Sequence, residues 1–298
     1  MTELIYLVGL PVSGKSSVAE IYKEKGYNIH SSDELRKELY SDENNQSNNT
    51  KLFETLNKRA KLDLENGVSI VYDATNLSYK RRKSFLETLN KVECIKHAIV
   101  LATPFNECIN RDIKRERSVG MYVIDKMYKS FSIPSKMEGF NIIDIKYSNL
   151  DNEEYNIVTK IEYLKKMNQF NTNHTLSIGD HCYKVYKSLL KEDDKLSRAG
   201  LMHDIGKQYT MSFKNSKGEY TNQAHYYNHE SVSTYESMFY LKDSFSIEDT
   251  VYICNLIQYH MRPHMLTTEK SINKFKKFLG DDFYKDLMLL HEADKNAR

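Results

Sequence analysis

The residues with the clearest chemistry form a loop near the start of the chain. Residues 9–16 match the pattern G-x-x-x-x-G-K-[ST] in full. They follow an apolar, strand-like run at residues 4–8 and precede a helical pattern, which is the context that this motif requires. In such a loop, backbone N–H groups surround phosphate oxygens, the lysine reaches the β and γ phosphates, and the serine hydroxyl binds Mg²⁺.

We therefore predict a loop that binds ATP and Mg²⁺, with Lys15 also acting in catalysis and Ser16 as the metal ligand. The residues expected around the nucleotide phosphates are Gly9, Leu10, Pro11, Val12, Ser13, Gly14, Lys15, Ser16 and Ser17. The alternative is a glycine-rich turn with an incidental lysine, which the complete pattern disfavours.

Two carboxylates are expected to face this loop, because each follows a predicted strand and parallel strands end at the same edge of a sheet. Asp33 could accept the proton of an incoming hydroxyl, and capping of the next helix is its alternative or additional role. Arg36, one turn later, would hold a phosphate of the acceptor. Asp73 would lie near Ser16 and its metal ion, and it is also assigned to substrate binding. The basic run at residues 80–83 is predicted to be a solvated helix face.

Arginines at helical spacing follow in residues 108–117, at Arg111, Arg115 and Arg117. One interpretation is a mobile helix that closes over ATP, because arginine neutralises charge on a transferring phosphoryl group. The other is a surface helix of mixed charge. The sequence alone favours neither.

Histidines are concentrated in the second half of the chain, which holds eight of the ten. His203 and Asp204 end an apolar helical pattern. Other His and Asp residues lie where an apolar helix face meets a polar residue, at His181, His229, His260 and Asp294. Helical bundles build internal metal sites in this way, whereas a lone His-Asp pair often only satisfies core hydrogen bonds. Imidazole and carboxylate without thiolate favour Mn, Fe, Co, Ni or Zn, and a shared carboxylate would permit two ions.

Other polar residues near these predicted ligands fall into two groups. Lys207 and Arg262 are predicted phosphate contacts because each lies close in sequence to a predicted ligand, and Lys207 is also assigned to catalysis. His225 is predicted to contact substrate. His264 and His291 are predicted surface residues, the first because the proline before it should interrupt the helix.

The elements that must position these residues differ between the two halves of the 298-residue chain. Residues 1–150 alternate short β-rich runs with amphipathic helical patterns, which predicts an α/β domain with a parallel sheet and flanking helices. Residues 173–298 show helical patterns with almost no strand alternation, which predicts an all-α domain. Residues 151–172 are predicted to connect the two.

Composition excludes several classes of protein. With 40% hydrophobic and 28% charged residues, the chain is typical of a core-forming protein and not of a disordered one. A net charge of +2 argues against a surface that coats nucleic acid or membrane. The four cysteines form no C-x-x-C pair, which argues against a disulfide framework or a zinc knuckle. We predict a cytoplasmic protein without a membrane segment.

The first half of the chain resembles the polynucleotide 5′-kinase branch of the P-loop phosphotransferases. The resemblance extends to residue 147 and is carried by the phosphate loop, Ser-Ser-Asp-x-x-Arg at 31–36, Asp-Ala-Thr-Asn at 73–76 with two arginines following, the arginine-rich segment, and Val-Ile-Asp-Lys-Met-Tyr at 123–128. It implies that Asp33 is the general base for a 5′-hydroxyl and that Arg36 contacts the acceptor's phosphate. Kinases of this branch carry arginines on a lid that closes over ATP, and the resemblance matches these to Arg111 and Arg115, with Arg117 as a competing match. On that basis Arg115 is assigned to catalysis and the other two to nucleotide binding.

The second half resembles the HD phosphohydrolase superfamily, through the complete pattern His…His-Asp…His…His…Asp. Residues 203–207 and 225–230 are similar to the HD module attached to bacterial tRNA nucleotidyltransferases. The resemblance implies one metal held by His181, His203, Asp204 and Asp294, and a second held by Asp204, His229 and His260. Modules of this kind act on 2′,3′-cyclic phosphates and 2′-phosphates, and their fusion to a polynucleotide kinase is the arrangement of the HD-Pnk family.

Together, these resemblances imply an RNA end-healing enzyme. The first half would phosphorylate 5′-hydroxyl RNA ends, with DNA ends also open, and the second would open a 2′,3′-cyclic phosphate and remove the 2′-phosphate. A separate RNA ligase would act downstream, because the chain has no Lys-x-[DN]-Gly pattern. Two alternatives stay open: a small-molecule or nucleoside kinase fused to a nucleotide phosphohydrolase, and a nucleotide-sensing regulatory protein.

Overall fold

A computed structural model of the chain describes residues 2–42, 48–149, 155–172 and 175–297. The chain forms two compact units, one of Met1–Met127 with Pro134–Ser148 and the other of Tyr128–Ile133 with Asn149–Arg298. The predicted boundary after residue 150 falls at residues 150–154, which lie outside the described ranges.

The first unit is a five-stranded parallel sheet with flanking helices, which confirms the predicted α/β fold. The strands are β1 (Glu3–Val8), β2 (Asn28–Ser31), β3 (Ile70–Asp73), β4 (Ile95–Ala102) and β5 (Ile142–Tyr147), in the order β2-β3-β1-β4-β5. The helices are α1 (Lys15–Lys23), α2 (Ser32–Tyr40), α3 (Asn49–Glu65), α4 (Tyr79–Thr88), α5 (Phe105–Ile113) and α6 (Met121–Tyr128), with a short 3₁₀ helix at Lys136–Glu138.

The central strand β1 sets the position of the phosphate loop. Its side chains Ile5 and Leu7 are fully buried and pack with Val18 and Ala19 of α1 and with Val71 of β3. Because β1, β2 and β3 are parallel, their carboxyl ends lie at one edge of the sheet. The residues that follow these three strands therefore meet at that edge.

The basic run at residues 80–83 is not entirely a solvated helix face, as the sequence pattern predicts. Arg82 is completely buried, and its guanidinium makes a bidentate pair with Glu138 at 2.7 and 2.8 Å. It also donates hydrogen bonds to the carbonyls of Asn76 and Leu77. Arg82 therefore links α4 to the 3₁₀ helix, and the geometry of a planar guanidinium explains why arginine serves here.

Within its described residues, the second unit is helical apart from one hairpin, which the all-α prediction missed. Its helices are α7 (Ile157–Leu164), α8 (Ile178–Leu189), α9 (Asp194–Met202), α10 (Lys207–Thr210), α11 (His229–Leu241), α12 (Ile247–Tyr259), α13 (Glu269–Leu279) and α14 (Asp281–Asn296), with a 3₁₀ helix at Pro263–Met265. Strands β6 (Ser212–Lys214) and β7 (Tyr220–His225) pair in antiparallel fashion. Their largely polar sequences give no apolar alternation, which is why the pattern did not reveal them.

Residues 128–133 belong to the second unit although they lie far upstream in sequence. Tyr128 and Phe131 each place a ring edge-on to Tyr235 of α11, at centroid distances of 5.3 and 4.9 Å. The hydroxyl of Tyr128 donates to Glu236 at 2.5 Å.

Among the described residues, none of the helices has the length and apolar character needed to cross a membrane.

Candidate functional site

The phosphate loop leads from β1 into α1, and its two glycines serve different purposes, one in backbone conformation and the other in close packing. Gly14 has φ of 99°, a left-handed conformation that favours glycine. A Cβ atom at Gly9 would lie 2.5 Å from Ser13 Oγ and 3.1 Å from Leu101 Cβ. The hydroxyl of Thr103 donates to the carbonyl of Ser13 at 3.0 Å and holds the loop from behind.

Lys15 lies over this loop and faces Asp73. Its Nζ donates to the carbonyls of Gly9 and Leu10 at 3.1 and 2.6 Å. Burial lowers the pKa of Lys15, and the charge of Asp73 opposes that shift. Burial likewise raises the pKa of Asp73, and the charge of Lys15 opposes it. The two opposite charges are thus held close together at the carboxyl edge of the sheet.

A cavity of about 490 Å³ opens over the loop and brings together most of the predicted residues. Those that line it are Pro11, Val12, Gly14, Lys15, Ser16, Ser17, Asp33, Arg36, Asp73, Arg111, Arg115 and Arg117. Gly9, Leu10 and Ser13 are buried residues of the loop itself and do not line the cavity. Asn49, Phe53 and Arg81 also line it, and sequence reasoning missed all three as site residues.

Asp33 and Arg36 form one wall of the cavity. Helix α2 begins at Ser32 and is capped by Ser31, whose hydroxyl accepts from the N–H of Asp33 and Glu34, so the capping role considered for Asp33 is wrong. Asp33 Oδ1 accepts a hydrogen bond from Arg36 Nη1 at 2.7 Å. The Asp33 side chain is 60% exposed and the Arg36 side chain only 9%, so the carboxylate is the accessible member of the pair.

Arg115 and Arg117 lie on a loop, because α5 ends at Ile113 and is shorter than the helix predicted over residues 108–117. Asp112 fixes this loop by accepting three hydrogen bonds, from Ser118 Oγ at 2.6 Å and from the N–H groups of Val119 and Gly120 at 3.0 Å. Burial alone would raise the pKa of Asp112, but these hydrogen bonds lower it.

Arg111 braces the phosphate loop from α5. One nitrogen of its guanidinium donates to the carbonyl of Val12 at 3.2 Å, and another pairs with Glu107. Glu107 in turn accepts a hydrogen bond from Ser148 at 3.0 Å. Arg111 therefore lines the cavity and also holds the backbone of the phosphate loop in position.

In the second unit, helix ends and inner helix faces carry the predicted metal ligands. His181 lies within α8 and Asp294 within α14. His203 follows the last residue of α9, His260 follows that of α12, and His229 begins α11. These five residues and Asp204 are all buried.

Their donor atoms converge into two groups that share Asp204. In the first, His181 Nε2 lies 3.1 Å from His203 Nε2, 3.3 Å from Asp204 Oδ2 and 3.1 Å from Asp294 Oδ1. In the second, His229 Nε2 lies 3.2 Å from both His260 Nε2 and Asp204 Oδ1. Atoms that bind one ion at about 2.0–2.2 Å are themselves roughly 3 Å apart. The spacing therefore suits two ion sites bridged by Asp204.

The second ring nitrogen of three histidines fixes the tautomer that such a site needs. Nδ1 lies 2.8 Å from a backbone carbonyl in His203, 2.7 Å in His229 and 2.6 Å in His260. Each carbonyl belongs to the residue three positions earlier. With the proton on Nδ1, the lone pair of Nε2 points into the cluster, as in established metal sites.

Charge and hydrogen bonding in the cluster also fit divalent ions. Asp204 Oδ1 is buried and accepts no hydrogen bond within the described part of the chain. Burial would lower the pKa of His181, but hydrogen bonds to Asp204 and Asp294 raise it to about 9. Burial lowers the pKa of His260 to about 3, so this imidazole is neutral at pH 7. The cluster thus combines carboxylates that attract positive charge with an imidazole able to bind a metal.

A cavity of about 570 Å³ adjoins the cluster and is lined by Lys207 and His225. Lys207 Nζ lies 2.7 Å from Asp204 Oδ2 and donates to Gln169 Oε1 at 2.8 Å. Arg262 does not line this cavity, and its guanidinium lies 5.7 Å from the ring centroid of Phe275. The structure therefore brings Lys207 and His225 to the cluster and does not bring Arg262.

His264 lies nearer the cluster than the sequence predicts. Its preceding proline begins a new 3₁₀ turn, which places His264 Nε2 3.6 Å from Asp294 Oδ2 and within the cavity lining. Its ring contacts His291 at a centroid distance of 4.4 Å. The four-residue spacing between His260 and His264 could have indicated that both lie on one side of a helical turn. The intervening proline does not prevent this, because proline is well tolerated at the start of a helical turn.

Comparisons with protein families match this division of the chain. A family model described as an AAA domain matches residues 4–134, and one described as an HD domain matches residues 171–297. The chain joins a P-loop kinase domain to an HD domain. Both domains indicate an enzyme, with nucleotide binding in the kinase domain and divalent-metal binding in the HD domain.

Individual relatives include kinases of several kinds. Over 214 residues the chain is 27% identical to L-seryl-tRNA(Sec) kinase of Methanococcus maripaludis, a match that covers 68% of this chain and 78% of that protein. The chain is similar to APS kinase CysC of Mycobacterium tuberculosis in complex with AMPPNP and APS, with a TM-score of 0.37, 19% identity, and coverage of 54% and 98% of the two chains. It is also similar to a fungal RNA kinase, with a TM-score of 0.38 and 13% identity, over 67% of this chain and 49% of that one.

Proposed function

We propose that the chain heals broken RNA by processing both ends of the break. The kinase domain would phosphorylate a 5′-hydroxyl, and the HD domain would open a 2′,3′-cyclic phosphate and remove the resulting 2′-phosphate. The observation that carries the proposal is the presence, in one chain, of a phosphate-loop cavity with a carboxylate–arginine wall and a His/Asp cluster with two-ion spacing. Ribonucleases that attack through the 2′-hydroxyl leave these two kinds of end, so each site would act on one product of a single cleavage.

On the kinase side, Asp33 would accept the proton of the incoming hydroxyl. The hydroxyl oxygen then bonds to the γ-phosphorus of ATP while the bond from that phosphorus to the β–γ bridging oxygen breaks and ADP leaves. Lys15, Arg115 and Arg117 offset the negative charge on the transferring group. Mg²⁺, held by Ser16, would neutralise charge on the β and γ phosphates.

A second feature of this cavity favours a polynucleotide acceptor over a simple alcohol. Arg36 and Arg81 line the same cavity as Asp33. Arg36 Nε is buried and makes no hydrogen bond to the described residues. Two guanidinium groups beside Asp33 suit an acceptor that carries its own phosphate, as a polynucleotide does. The relative L-seryl-tRNA(Sec) kinase also has, by its name, an RNA-linked substrate.

On the hydrolase side, His181, His203, Asp204 and Asp294 would hold one divalent ion, and Asp204, His229 and His260 a second. Such ions, whether Mn, Ni, Co, Fe or Zn, lower the pKa of a bound water and neutralise a phosphoester. Lys207 lies beside Asp204 and would contact a phosphate oxygen. His225 lines the cavity through which the ester would approach.

The direct test is incubation of the purified protein with ATP and 5′-hydroxyl RNA, and separately with RNA that ends in a 2′,3′-cyclic phosphate. We expect 5′-phosphorylation in the first reaction and a 2′,3′-hydroxyl end in the second, when Mn²⁺ or Ni²⁺ is supplied. Parallel reactions with 5′-hydroxyl DNA, mononucleotides and seryl-tRNA define the acceptor. Failure on both RNA substrates would contradict the proposal.

Two other results of the same panel would favour the alternatives. Turnover of mononucleotides without turnover of oligonucleotides would indicate a metabolic kinase and phosphohydrolase. Tight ATP binding without any product would indicate a nucleotide sensor.

Under the proposed function a separate RNA ligase seals the healed ends. We place both proteins in the cytoplasm, where free thiols such as the four cysteines here stay reduced.

A further inference from the structure

We propose that the HD domain recognises the terminal nucleobase of its substrate in the cavity beside the His/Asp cluster, where the base stacks on the ring of Tyr227. This inference rests on the proposed function of the HD domain. It adds how the HD domain recognises its substrate, namely by contact with a nucleobase as well as with the phosphate ester. It also assigns Tyr227 as a residue that determines specificity.

An aromatic wall lines the cavity beside the metal cluster, formed by His225, Tyr226 and Tyr227. The rings of His225 and Tyr227 are nearly parallel, with an interplanar angle of 6° and a centroid distance of 5.5 Å. Thr221 Oγ1 lies 3.0 Å from His225 Nε2 and fixes the orientation of that ring. A further planar ring can extend such an offset stack.

Only one of the two tyrosines in this wall offers an accessible ring. The hydroxyl of Tyr226 donates to the carbonyl of Gln169, and Lys207 Nζ lies 5.4 Å from its ring centroid, so Tyr226 is held in place by other groups. Tyr227, in contrast, is 46% exposed. Tyr227 therefore presents an aromatic surface to a ligand in the cavity.

The position of Tyr227 in the chain matches the dimensions of a nucleotide. Tyr227 and His229 are two residues apart, so their Cα atoms lie within about 7 Å of each other. Asn228 between them has φ of 64° and ψ of 22°, which turns the chain from β7 into α11. A nucleobase on Tyr227 would thus place its sugar phosphate near the cluster. The cavity volume of about 570 Å³ is typical of sites that take a whole small molecule, and exceeds what a phosphate group needs.

The first experiment compares two phosphate esters with the Mn²⁺-loaded full chain. Adenosine 2′-phosphate carries a base, and glycerol 2-phosphate carries none. For Tyr227→Ala we expect KM for the adenosine ester to rise roughly 5- to 150-fold with kcat unchanged, since stacking of one base on an aromatic ring contributes about 1–3 kcal/mol. Both constants for glycerol 2-phosphate should stay at the wild-type values, and Tyr227→Phe should behave like the wild type.

A matched control lies on β7, where Tyr220 is 81% exposed and does not line the cavity. Tyr220→Ala should leave the kinetics of both esters unchanged. A second readout uses 2-aminopurine riboside 2′-phosphate, whose fluorescence is quenched when the base stacks. The wild type and Tyr220→Ala should quench it, and Tyr227→Ala should not.

Two outcomes would overturn the inference: an equal rise in KM for both esters in Tyr227→Ala, or unchanged KM and quenching in that variant. Failure of the proposed hydrolase function is a separate result, in which the wild type hydrolyses neither ester nor RNA that ends in a 2′,3′-cyclic phosphate. The fluorescence measurement still tests the stacking in that case, because it requires binding and no turnover.

Discussion

At the scale of single residues, the proposed kinase reaction depends on the accessible carboxylate of Asp33 as the proton acceptor. Asp33→Asn keeps the size of the side chain and removes its capacity to accept a proton. We expect 5′-kinase kcat to fall by at least about 10²-fold, as for loss of a general base, with phosphoesterase activity unchanged.

The control for this substitution is Glu38→Gln, on the same helix, where the carboxylate pairs with Arg59 and both side chains are about half exposed. That variant should retain kinase activity, because surface ion pairs contribute little. Kinase activity in Asp33→Asn comparable to that of the control would rule out a role for Asp33 as the base.

His203 tests the second site independently. His203→Ala removes one nitrogen ligand, and we expect less bound Mn²⁺ per chain after dialysis, measured by elemental analysis, together with loss of phosphoesterase activity. Kinase activity in the same preparation serves as the internal control. Simultaneous loss of both activities in a folded variant would contradict the existence of two separate sites.

Residue types and spacing predicted much of what the structure brings together. The His and Asp residues could be picked out because few other side chains suit a buried metal cluster, and their pattern is long and complete. Phe53 and Arg81 could not be identified in this way. Whether such residues line a cavity depends on how α3 and α4 are oriented, which their own sequences do not specify.

At the scale of elements, the loop after α5 depends on Asp112. Asp112→Ala leaves the N–H groups of Val119 and Gly120 without their acceptor, and we expect a loss of about 1–3 kcal/mol in the free energy of unfolding. Kinase activity should fall more than phosphoesterase activity, because Arg115 and Arg117 lie on this loop. Urea denaturation and the ratio of the two activities measure these effects.

The pH dependence of this contribution follows from the lowered pKa of Asp112. Its pKa in the folded chain lies below the ordinary value of 3.8. The stabilisation is therefore complete above about pH 5 and is lost as the pH falls through the folded pKa. The stability difference between the wild type and Asp112→Ala should accordingly shrink on acidification, and a difference that stays constant would exclude ionised Asp112 as its source.

Arg82 gives a second test at this scale. Arg82→Met would leave the carboxylate of Glu138 buried without its bidentate partner, at a cost of about 3–5 kcal/mol in the free energy of unfolding. Lys80→Met, at an exposed position of the same helix, should change stability by less than about 0.5 kcal/mol. Equal denaturation midpoints for the two variants would show that the buried pair contributes no stability.

Elements were predictable where burial produced a pattern. Strands β1, β3 and β4 are apolar runs because helices cover a parallel sheet on both faces. The hairpin β6–β7 has no such pattern, because most of its residues are at least partly exposed. The sequence pattern also did not show that α5 ends at Ile113. Near that end, Asp112 accepts hydrogen bonds from residues 118–120, and these contacts leave no periodic pattern.

At the scale of the whole molecule, residues 128–133 make the second unit depend on sequence from the first half of the chain. A fragment of residues 149–298 would lack the rings of Tyr128 and Phe131 and the hydrogen bond from the Ile133 N–H to Gln258. We expect this fragment to unfold at lower urea concentration than the second unit does within the full chain, or to aggregate. Equal stability would show that residues 128–133 are dispensable.

The sequence predicted a boundary near residue 150 because composition and periodicity change there. It could not show that six upstream residues fold with the second unit, because their assignment depends on contacts with α11 and α12 that are distant in sequence. Periodicity reports which face of an element is buried and does not report the partner that buries it.

His203 and His260 follow the last residues of α9 and α12, and their Nδ1 atoms pair with carbonyls of the last helical turn. Before any ion binds, the carboxylates of Asp204 and Asp294 are balanced by the protonated ring of His181 and the charge of Lys207. Divalent ions would displace the proton of His181 and give the cluster a net positive charge that attracts a phosphate ester. Metal binding and ester binding should therefore be ordered steps, in which the phosphate group enters only a site that already holds its ions.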